Sequence, residues 1–331
     1  MRVLVTGGAG YIGSHTAKAL ARTGHDVLVL DDLSGGHRWA VKWGKLLEGD
    51  VLNADFLRQC FRHNQIDAVI HFAGVIQVGE SVKNPSKYFR INTEGTLRLL
   101  DAMQEEDVKP IVFSSSAAIY GTPLQVPIPE DHPANPVSPY GESKLAVERI
   151  LHWYGNAYGI RWAALRYFNA SGADLDGELG EGHDPESHLI PLVIKAALGQ
   201  IPQVEIYGTD YPTPDGTAIR DYIHVGDLAE AHVRALHYLV DGGESTALNL
   251  GTGEGHSVRT VIDAVNRCAA KTSDGARPVS FREAPRRAGD PASLVADPSR
   301  AKKVLHWTPE HSGLEQIVGS AWAWHRSRAG D

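Results

Sequence analysis

The stretch MRVLVTGGAGYIG (Met1–Gly13) decides how the rest of the chain is read. Arg2–Thr6 is a short aliphatic run that reads as a strand, and the apolar pattern over Ile12–Arg22 reads as a helix. Between them stand Gly7, Gly8, Gly10 and Gly13. Gly8-x-Gly10-x-x-Gly13 meets the dinucleotide fingerprint, and Gly7-x-x-Gly10-x-x-Gly13 meets a shifted form of it. Without Cβ atoms the backbone turns sharply and approaches a pyrophosphate closely, while the helix start offers free N–H groups and a partial positive charge. The glycine pattern alone is weak, since a plain turn also uses glycines. Its position after a strand and at the opening of a helix favours the nucleotide reading.

Working outward, the strand and helix patterns alternate. Strands are expected at Asp26–Leu30, Lys45–Glu48, Ala68–Phe72, Pro110–Ser114 and Arg161–Arg166, with helices near Ala54–His63, Pro85–Gln104 and Pro139–Tyr158. That alternation predicts an α/β fold, a doubly wound parallel sheet of Rossmann type. After Tyr167 the pattern breaks. Asn169–Ser187 reads as a loop, Leu189–Leu198 as a helix and Val204–Tyr207 as a strand. Asp227 and Glu230 suggest a capping-box start for a helix over Leu228–Leu239. A late buried strand at Ala247–Leu250, a helix at Val258–Ala270, a loop at Ser273–Asp290 and a C-terminal helical stretch complete the chain. A length of 331 residues is long for one core. The expected division is a nucleotide-binding part, 1–168 plus about 222–251, and a smaller α/β substrate-binding annex, 169–221 plus about 252–331.

Composition narrows the function classes. The formal net charge of −8 argues against nucleic acid as a partner, although a local basic pocket still suits an anionic ligand. Cys60 and Cys268 are the only cysteines, too few and too far apart for a disulfide framework or a cysteine zinc site. The first residues lack the apolar core of a signal peptide, and no apolar stretch is long enough to span a bilayer. A cytoplasmic protein with no membrane partner is expected. The 16 histidines show no H-E-x-x-H or comparable spacing, so no metal is expected. Arg300-Ala301-Lys302-Lys303 reads as a solvated helix face.

Several residues carry candidate chemistry. Asp31 ends the second strand 18 residues after Gly13, where an acid binds an adenosine ribose 2′-OH and repels a 2′-phosphate. With Asp32 beside it, NAD is favoured over NADP; a turn acid ahead of Leu33-Ser34-Gly35-Gly36 is the plain alternative. His71-Phe72-Ala73-Gly74 and Ser114-Ser115-Ser116 close two strands on the edge where open α/β sheets bind ligands. In SPYGESK (Ser138–Lys144), Tyr140 and Lys144 are four residues apart, hence on one helix face. An ammonium there would lower the phenol pKa from about 10 and make the tyrosine a usable base. The same spacing fits an ordinary helix turn; its place one unit beyond the serine-tipped strand favours the acid–base reading.

These residues resemble the extended short-chain dehydrogenase/reductases, through TGGAGYIG (Thr6–Gly13), FSSSAAIYG (Phe113–Gly121), PYGESK (Pro139–Lys144) and LRYFNASGA (Leu165–Ala173). IYGTDYPTPDGTAIRDYIHVGDLAEAH (Ile206–His232) and RRAGDPASLVAD (Arg286–Asp297) resemble the UDP-glucose 4-epimerases within that family, and the likeness covers essentially the whole chain. The resemblance implies Ser116, Tyr140 and Lys144 as catalytic residues. It implies NAD contacts at Gly7, Gly10, Tyr11, Ile12, Asp31, Asp50, Val51, Phe72, Ala73, Asn92 and Phe168, besides Tyr140 and Lys144. A UDP-hexose substrate would meet Ser116, Asn169, His188, Leu189, Val204, Tyr207, Arg220, Arg287, Asp290 and Leu294. Arginine forks suit a diphosphate, although surface salt bridges are the alternative for Arg220 and Arg287. A homodimer through the helices Pro85–Gln104 and Pro139–Tyr158 is implied as well.

Two positions depart from the family pattern. Ile76 stands where many relatives carry lysine, and Leu294 stands where some carry a tyrosine gate beside the sugar. The smaller leucine leaves UDP-N-acetylhexosamines open as alternative substrates, next to UDP-xylose or UDP-arabinose. A 4,6-dehydratase is disfavoured, because Ala117-Ala118 occupies the place of that branch's acid pair. A dinucleotide-sensing binding module is the non-enzyme alternative; it would have no use for the Tyr140–Lys144 pair.

Overall fold

A computed structural model describes residues 1–272, 277–287 and 289–328, so the expected loop Ser273–Asp290 lies partly outside the described residues. Its strands, in chain order, are β1 (Arg2–Thr6), β2 (Asp26–Asp31), β3 (Lys45–Glu48), β4 (Ala68–His71), β5 (Pro110–Ser116), β6 (Arg161–Tyr167), β7 (Asn169–Ser171), β8 (Val204–Tyr207), β9 (Ile219–Arg220), β10 (Tyr222–His224), β11 (Thr246–Leu250), β12 (His256–Ser257), β13 (Phe281–Ala284) and β14 (Ser293–Leu294). Seven of them form one parallel sheet in the order β11-β6-β5-β4-β1-β2-β3. The order reverses between β1 and β4, which opens a crevice beyond their carboxyl ends.

The continuous apolar runs of β1, β4 and β5 are explained by burial on both faces. Strand alternation sends Val3, Val5 and Ile70 into one core layer and Leu4, Val69, Ile111 and Phe113 into the other. Each fully buried Leu or Val is worth about 1.5–3 kcal/mol. The first layer lies under helix α1 (Tyr11–Arg22), which packs on the later helix Val225–Val240. The second lies under α2 (Ala54–Asn64) and the helices that follow β4 and β5.

The helix expected at Pro85–Gln104 is composite. After α3 (Val78–Lys83) come α4 (Pro85–Tyr88), a π-helical turn (Phe89–Glu94) and α5 (Gly95–Glu105). A π turn carries an extra residue, and here it includes Asn92, which is buried. Helix α6 (Pro139–Tyr158) starts at Ser138, whose hydroxyl accepts from Gly141 N at 3.2 Å, with Pro139 at its first position.

The later helices are α7 (Leu189–Ala197), α8 (Val225–Val240), α9 (Val258–Ala270), α10 (Ser299–Leu305) and α11 (Leu314–Ser327). The expected capping box is not formed. Strand β10 runs to His224, so α8 begins at Val225, and His224 caps it by accepting from Gly226 N. Asp227 instead accepts from Glu310 N, His311 N and Ser312 Oγ, while Glu230 pairs with Arg234. Helices α7, α9 and α11 share a third core cluster with β8. Three small sheets, β10-β7, β12-β9-β14 and β13-β8, accompany it. On α10 the cations Arg300, Lys302 and Lys303 are exposed around a buried Ala301. Among the described residues no helix is long and apolar enough to cross a membrane.

Candidate active site

The glycine loop is shaped by close approach. Gly7 has φ +69°, and a Cβ on it would lie 2.6 Å from Ala73 N, so no other residue fits. A Cβ at Gly13 would lie 2.3 Å from Gly7 O, which explains how helix and loop pack so tightly. Gly10 is the N-cap of α1 and supplies no side-chain acceptor. The N–H groups of Tyr11, Ile12 and Gly13 are therefore the donors that a helix start leaves for a ligand. This cradle fits a dinucleotide pyrophosphate. Tyr11 donates from its hydroxyl to Gly172 O at 2.6 Å, tying the loop to the second half of the chain.

Asp31 is buried, and its two oxygens accept from Ala9 N and Leu33 N at 2.9 Å each. Burial raises its pKa, and these backbone bonds oppose the rise. It thus serves as a turn acid while its carboxylate stays beside the glycine loop. Asp50 accepts from Leu52 N at 2.8 Å and Val51 is buried against the second core layer. Beneath the loop, His71 bridges Thr6 Oγ1 (2.6 Å) and Thr96 Oγ1 (2.8 Å). Thr96 donates onward to Asn92 O, so the proton sits on His71 Nε2. Burial, aided by the Lys144 charge, lowers this histidine to about 3. Phe72 lies against the His232 ring with centroids 4.7 Å apart, and Ala73 follows at the loop. Asn92 clamps the segment after β4, accepting from Val75 N (2.8 Å) and donating to Val75 O (3.1 Å) and Ser143 Oγ (3.0 Å). Ile76, in that same segment, is exposed.

Ser116, Tyr140 and Lys144 come together at the carboxyl end of β5. Tyr140 is 9% exposed. Its pKa is raised by burial, and a hydrogen bond with Ser116 opposes that rise. The expectation that Lys144 would dominate and lower it is not met in the protein alone. The Lys144 ammonium lies over the ring, 5.9 Å from its centroid, and is committed to Ser114 O at 2.8 Å, so desolvation prevails. Burial also lowers Lys144, to about 8. Ser116 Oγ accepts from Ala118 N at 3.2 Å. The other two serines are structural: Ser114 bonds to Tyr167 Oη, and Ser115 donates to Glu148 Oε1.

Sequence reasoning overlooked the network behind this group. Glu148 stands eight residues after Tyr140, on the same face of α6, and forms a two-bond pair with Arg166: Nη2 to Oε2 at 2.6 Å and Nε to Oε1 at 3.0 Å. Arg166 also donates to Tyr120 Oη (2.9 Å) and Glu130 O (3.0 Å). The signal was present as Tyr140, Lys144 and Glu148 at successive four-residue steps. Asp221 was also missed. It is fully buried and accepts from Thr252 N and Oγ1, Gly253 N and Ala296 N, joining three loops.

The second half gathers most of the other candidates. Arg220 pairs with Asp290, and Arg287 lies 3.9 Å over the Tyr207 ring. Leu294 is the register partner of Arg220. Leu294 and Phe168 both pack on a small cluster that includes Ala117, Tyr120 and Leu145, which sets the Arg220 strand beside the Tyr140 group. Asn169 holds Asp221 O through N (3.1 Å) and Nδ2 (3.0 Å). Val204 differs from expectation: strand alternation turns its side chain into the third core cluster, and Tyr207 is on the other face. Leu189 packs on that same core, and His188 turns to Glu181.

A family model described as the NAD dependent epimerase/dehydratase family matches residues 3–251. A UDP-glucose 4-epimerase of Halalkalibacterium halodurans is 51% identical over 326 residues, 98% of this chain and 96% of that protein. The structure of a UDP-glucose 4-epimerase from Brucella ovis in complex with NAD superposes with a TM-score of 0.93 at 50% identity, covering 97% of each chain. That of a UDP-glucose 4-epimerase from Stenotrophomonas maltophila, with bound NAD and formylated UDP-arabinopyranose, gives a TM-score of 0.94 at 41% identity, covering 100% of this chain and 99% of that one. With its glycine cradle and the Ser116–Tyr140–Lys144 group on one sheet edge, this chain belongs to the NAD dependent epimerase/dehydratase family.

Proposed function

We propose that this protein is an NAD-dependent UDP-glucose 4-epimerase, inverting C4 of UDP-glucose and UDP-galactose through a 4-keto sugar. The observation that carries the reading is the buried Tyr140, hydrogen-bonded to Ser116 and backed by Lys144, next to the Gly7–Gly13 cradle. NAD, when bound, accepts and returns the C4 hydride. Tyr140 takes the proton from the sugar 4-OH and returns it to the same oxygen after the 4-keto sugar has turned its other face toward the cofactor side; Ser116 orients that hydroxyl; Lys144 favours the phenolate. Arg220 and Arg287 hold the diphosphate, where a cation fork answers two phosphates within an acidic protein. Because the hydride is returned, no NAD is consumed and the cofactor stays bound.

The nucleotide half comprises 1–168 plus about 222–251 and the sugar half 169–221 plus about 252–331, in keeping with the return of β11 to the main sheet. A cytoplasmic homodimer is the assembly we favour. Val82 (63% exposed) and Trp153 (68%), with Phe89 and Tyr158, offer apolar surface on or beside the helices α3–α6.

Purified protein should convert UDP-glucose to UDP-galactose with no NAD added, and Tyr140→Phe should lower turnover at least ~100-fold while retaining NAD. Near-normal turnover of that variant would overturn the assignment. The half-buried Leu294 beside Arg220 favours a second reading, acceptance of UDP-N-acetylglucosamine. Running UDP-GlcNAc and UDP-xylose in the same assay separates the hexose, N-acetylhexosamine and pentose activities.

A further inference from the structure

Among the described residues, two clusters of ligating side chains lie outside the group around Tyr140, and they differ in one respect. Asp174, Asp176 and Glu178 already hold a cation: the Lys18 ammonium sits among them at 2.7, 3.0 and 2.7 Å. Glu181, His183, Glu186 and His188 form the other, each offering one ligand atom, all within 4.8 Å of one another. Here the partners of the buried Glu181 carboxylate are imidazoles. His183 Nδ1 lies 2.9 Å from Oε1, and His188 Nδ1 reaches the same oxygen. His188 Nδ1 is also 3.5 Å from Glu186 Oε1.

We propose that Glu181, His183, Glu186 and His188 form a binding site for a divalent transition-metal ion of the zinc class. Two imidazole nitrogens and two carboxylate oxygens are a ligand set that suits zinc and its neighbours rather than calcium or magnesium, which take oxygen alone. Bonds of about 2.0–2.1 Å in a tetrahedron put ligand atoms about 3.3 Å apart. The observed spread requires only ångström-scale contraction, in a segment between β7 and α7 that has no strand or helix of its own. All four ligands come from eight consecutive residues in the spacing E-x-H-x-x-E-x-H, so the expectation of no metal drawn from histidine spacing does not hold for this segment.

The ion would act as a staple. Gly182, between two of the ligands, accepts from His37 Nε2 at 2.6 Å, and His37 N donates to Ala9 O of the glycine loop at 2.9 Å. On the other side, Trp324 Nε1 donates to Glu181 O at 2.9 Å. A chelate closed around Gly182 therefore fastens α11 and the glycine loop to one point beside the start of α1.

The test is zinc titration of the EDTA-treated, NAD-loaded enzyme by calorimetry, with metal content measured after dialysis. One Zn²⁺ per chain is expected, with a rise of several degrees in the thermal midpoint. Cobalt loading should give visible bands of a tetrahedral nitrogen–oxygen site. His183→Gln and, separately, Glu186→Gln should each weaken zinc binding at least ~100-fold while the zinc-free midpoint stays near wild type. Two variants keep the test informative should one of them disturb folding. Failure to bind near one equivalent of zinc, or undiminished binding in both variants, overturns the site.

Discussion

Arg166→Met tests how the helix carrying Tyr140 is held. In the folded protein Arg166 and Glu148 are 11% and 7% exposed at their side chains and share two hydrogen bonds; Arg166 makes two more to Tyr120 and Glu130. Removing the arginine leaves the Glu148 carboxylate buried with Ser115 Oγ as its remaining partner. Stranding one member of a buried pair costs about 3–5 kcal/mol. For a chain of this length the unfolding entropy is about 0.7 kcal/mol per kelvin, so the thermal midpoint should fall by about 4–7 °C. Thermal and urea unfolding at matched, saturating NAD read the loss. In the variant, the charged carboxylate of Glu148 is left desolvated without a cationic partner. Adding Glu148→Leu removes the stranded charge and should recover most of the stability. A single-variant cost under about 1 kcal/mol, or a double variant losing the sum of the two singles, would refute the reasoning.

Two further outcomes follow from the buried ionisable groups. His15, His224 and His232 are each lowered to about 4 by burial, and His71 to about 3. The folded protein refuses protons that the unfolded chain takes up below 6.5, so stability should decline as pH falls from 6.5 toward 4, by about 1–2 kcal/mol per histidine at pH 5. Equal urea midpoints at pH 7.5 and pH 5 would contradict this. Lys144→Met removes the cation over the Tyr140 ring and disfavours the phenolate, so the rising limb of kcat/KM against pH should move at least ~1 unit to the alkaline side, with turnover down ~100-fold. An unmoved limb would show that Lys144 does not tune the base.

What was legible in the sequence is what short-range chemistry writes there. The apolar runs of β1, β4 and β5 have no other use than a sheet buried on both faces, and Gly7 to Gly13 could be read because only glycine permits those approaches. Helix α3 escaped because its apolar residues, Val78 and Val82, are exposed and mark no buried face. The π turn escaped because its cause is tertiary, the engagement of Asn92 with Val75 and Ser143. Strands β9, β12 and β14 have two residues each, too few for any period to register. Within the site, the Tyr140–Lys144 spacing was visible because both stand on one helix. The Glu148–Arg166 and Arg220–Asp290 pairs join residues 18 and 70 positions apart, which local pattern cannot connect.

The return of β11 to the main sheet bears on how the chain is made. Strand β6 ends at Tyr167, and its outer neighbour β11 begins at Thr246, about 80 residues later. At a synthesis rate of about 5–20 residues per second, β6 leaves the ribosome some 4–16 s before its partner exists. Throughout that interval Ala163, Ala164 and Leu165 lie on a strand whose outer backbone groups have no mate, the kind of edge that recruits other chains. Residues 169–221, the first part of the proposed sugar-binding half, are translated during that wait, so the main sheet cannot be completed until they have emerged. A gene fragment cut after Tyr167 would preserve the glycine cradle yet make that exposed edge permanent, and aggregation rather than a stand-alone nucleotide-binding module is its expected product.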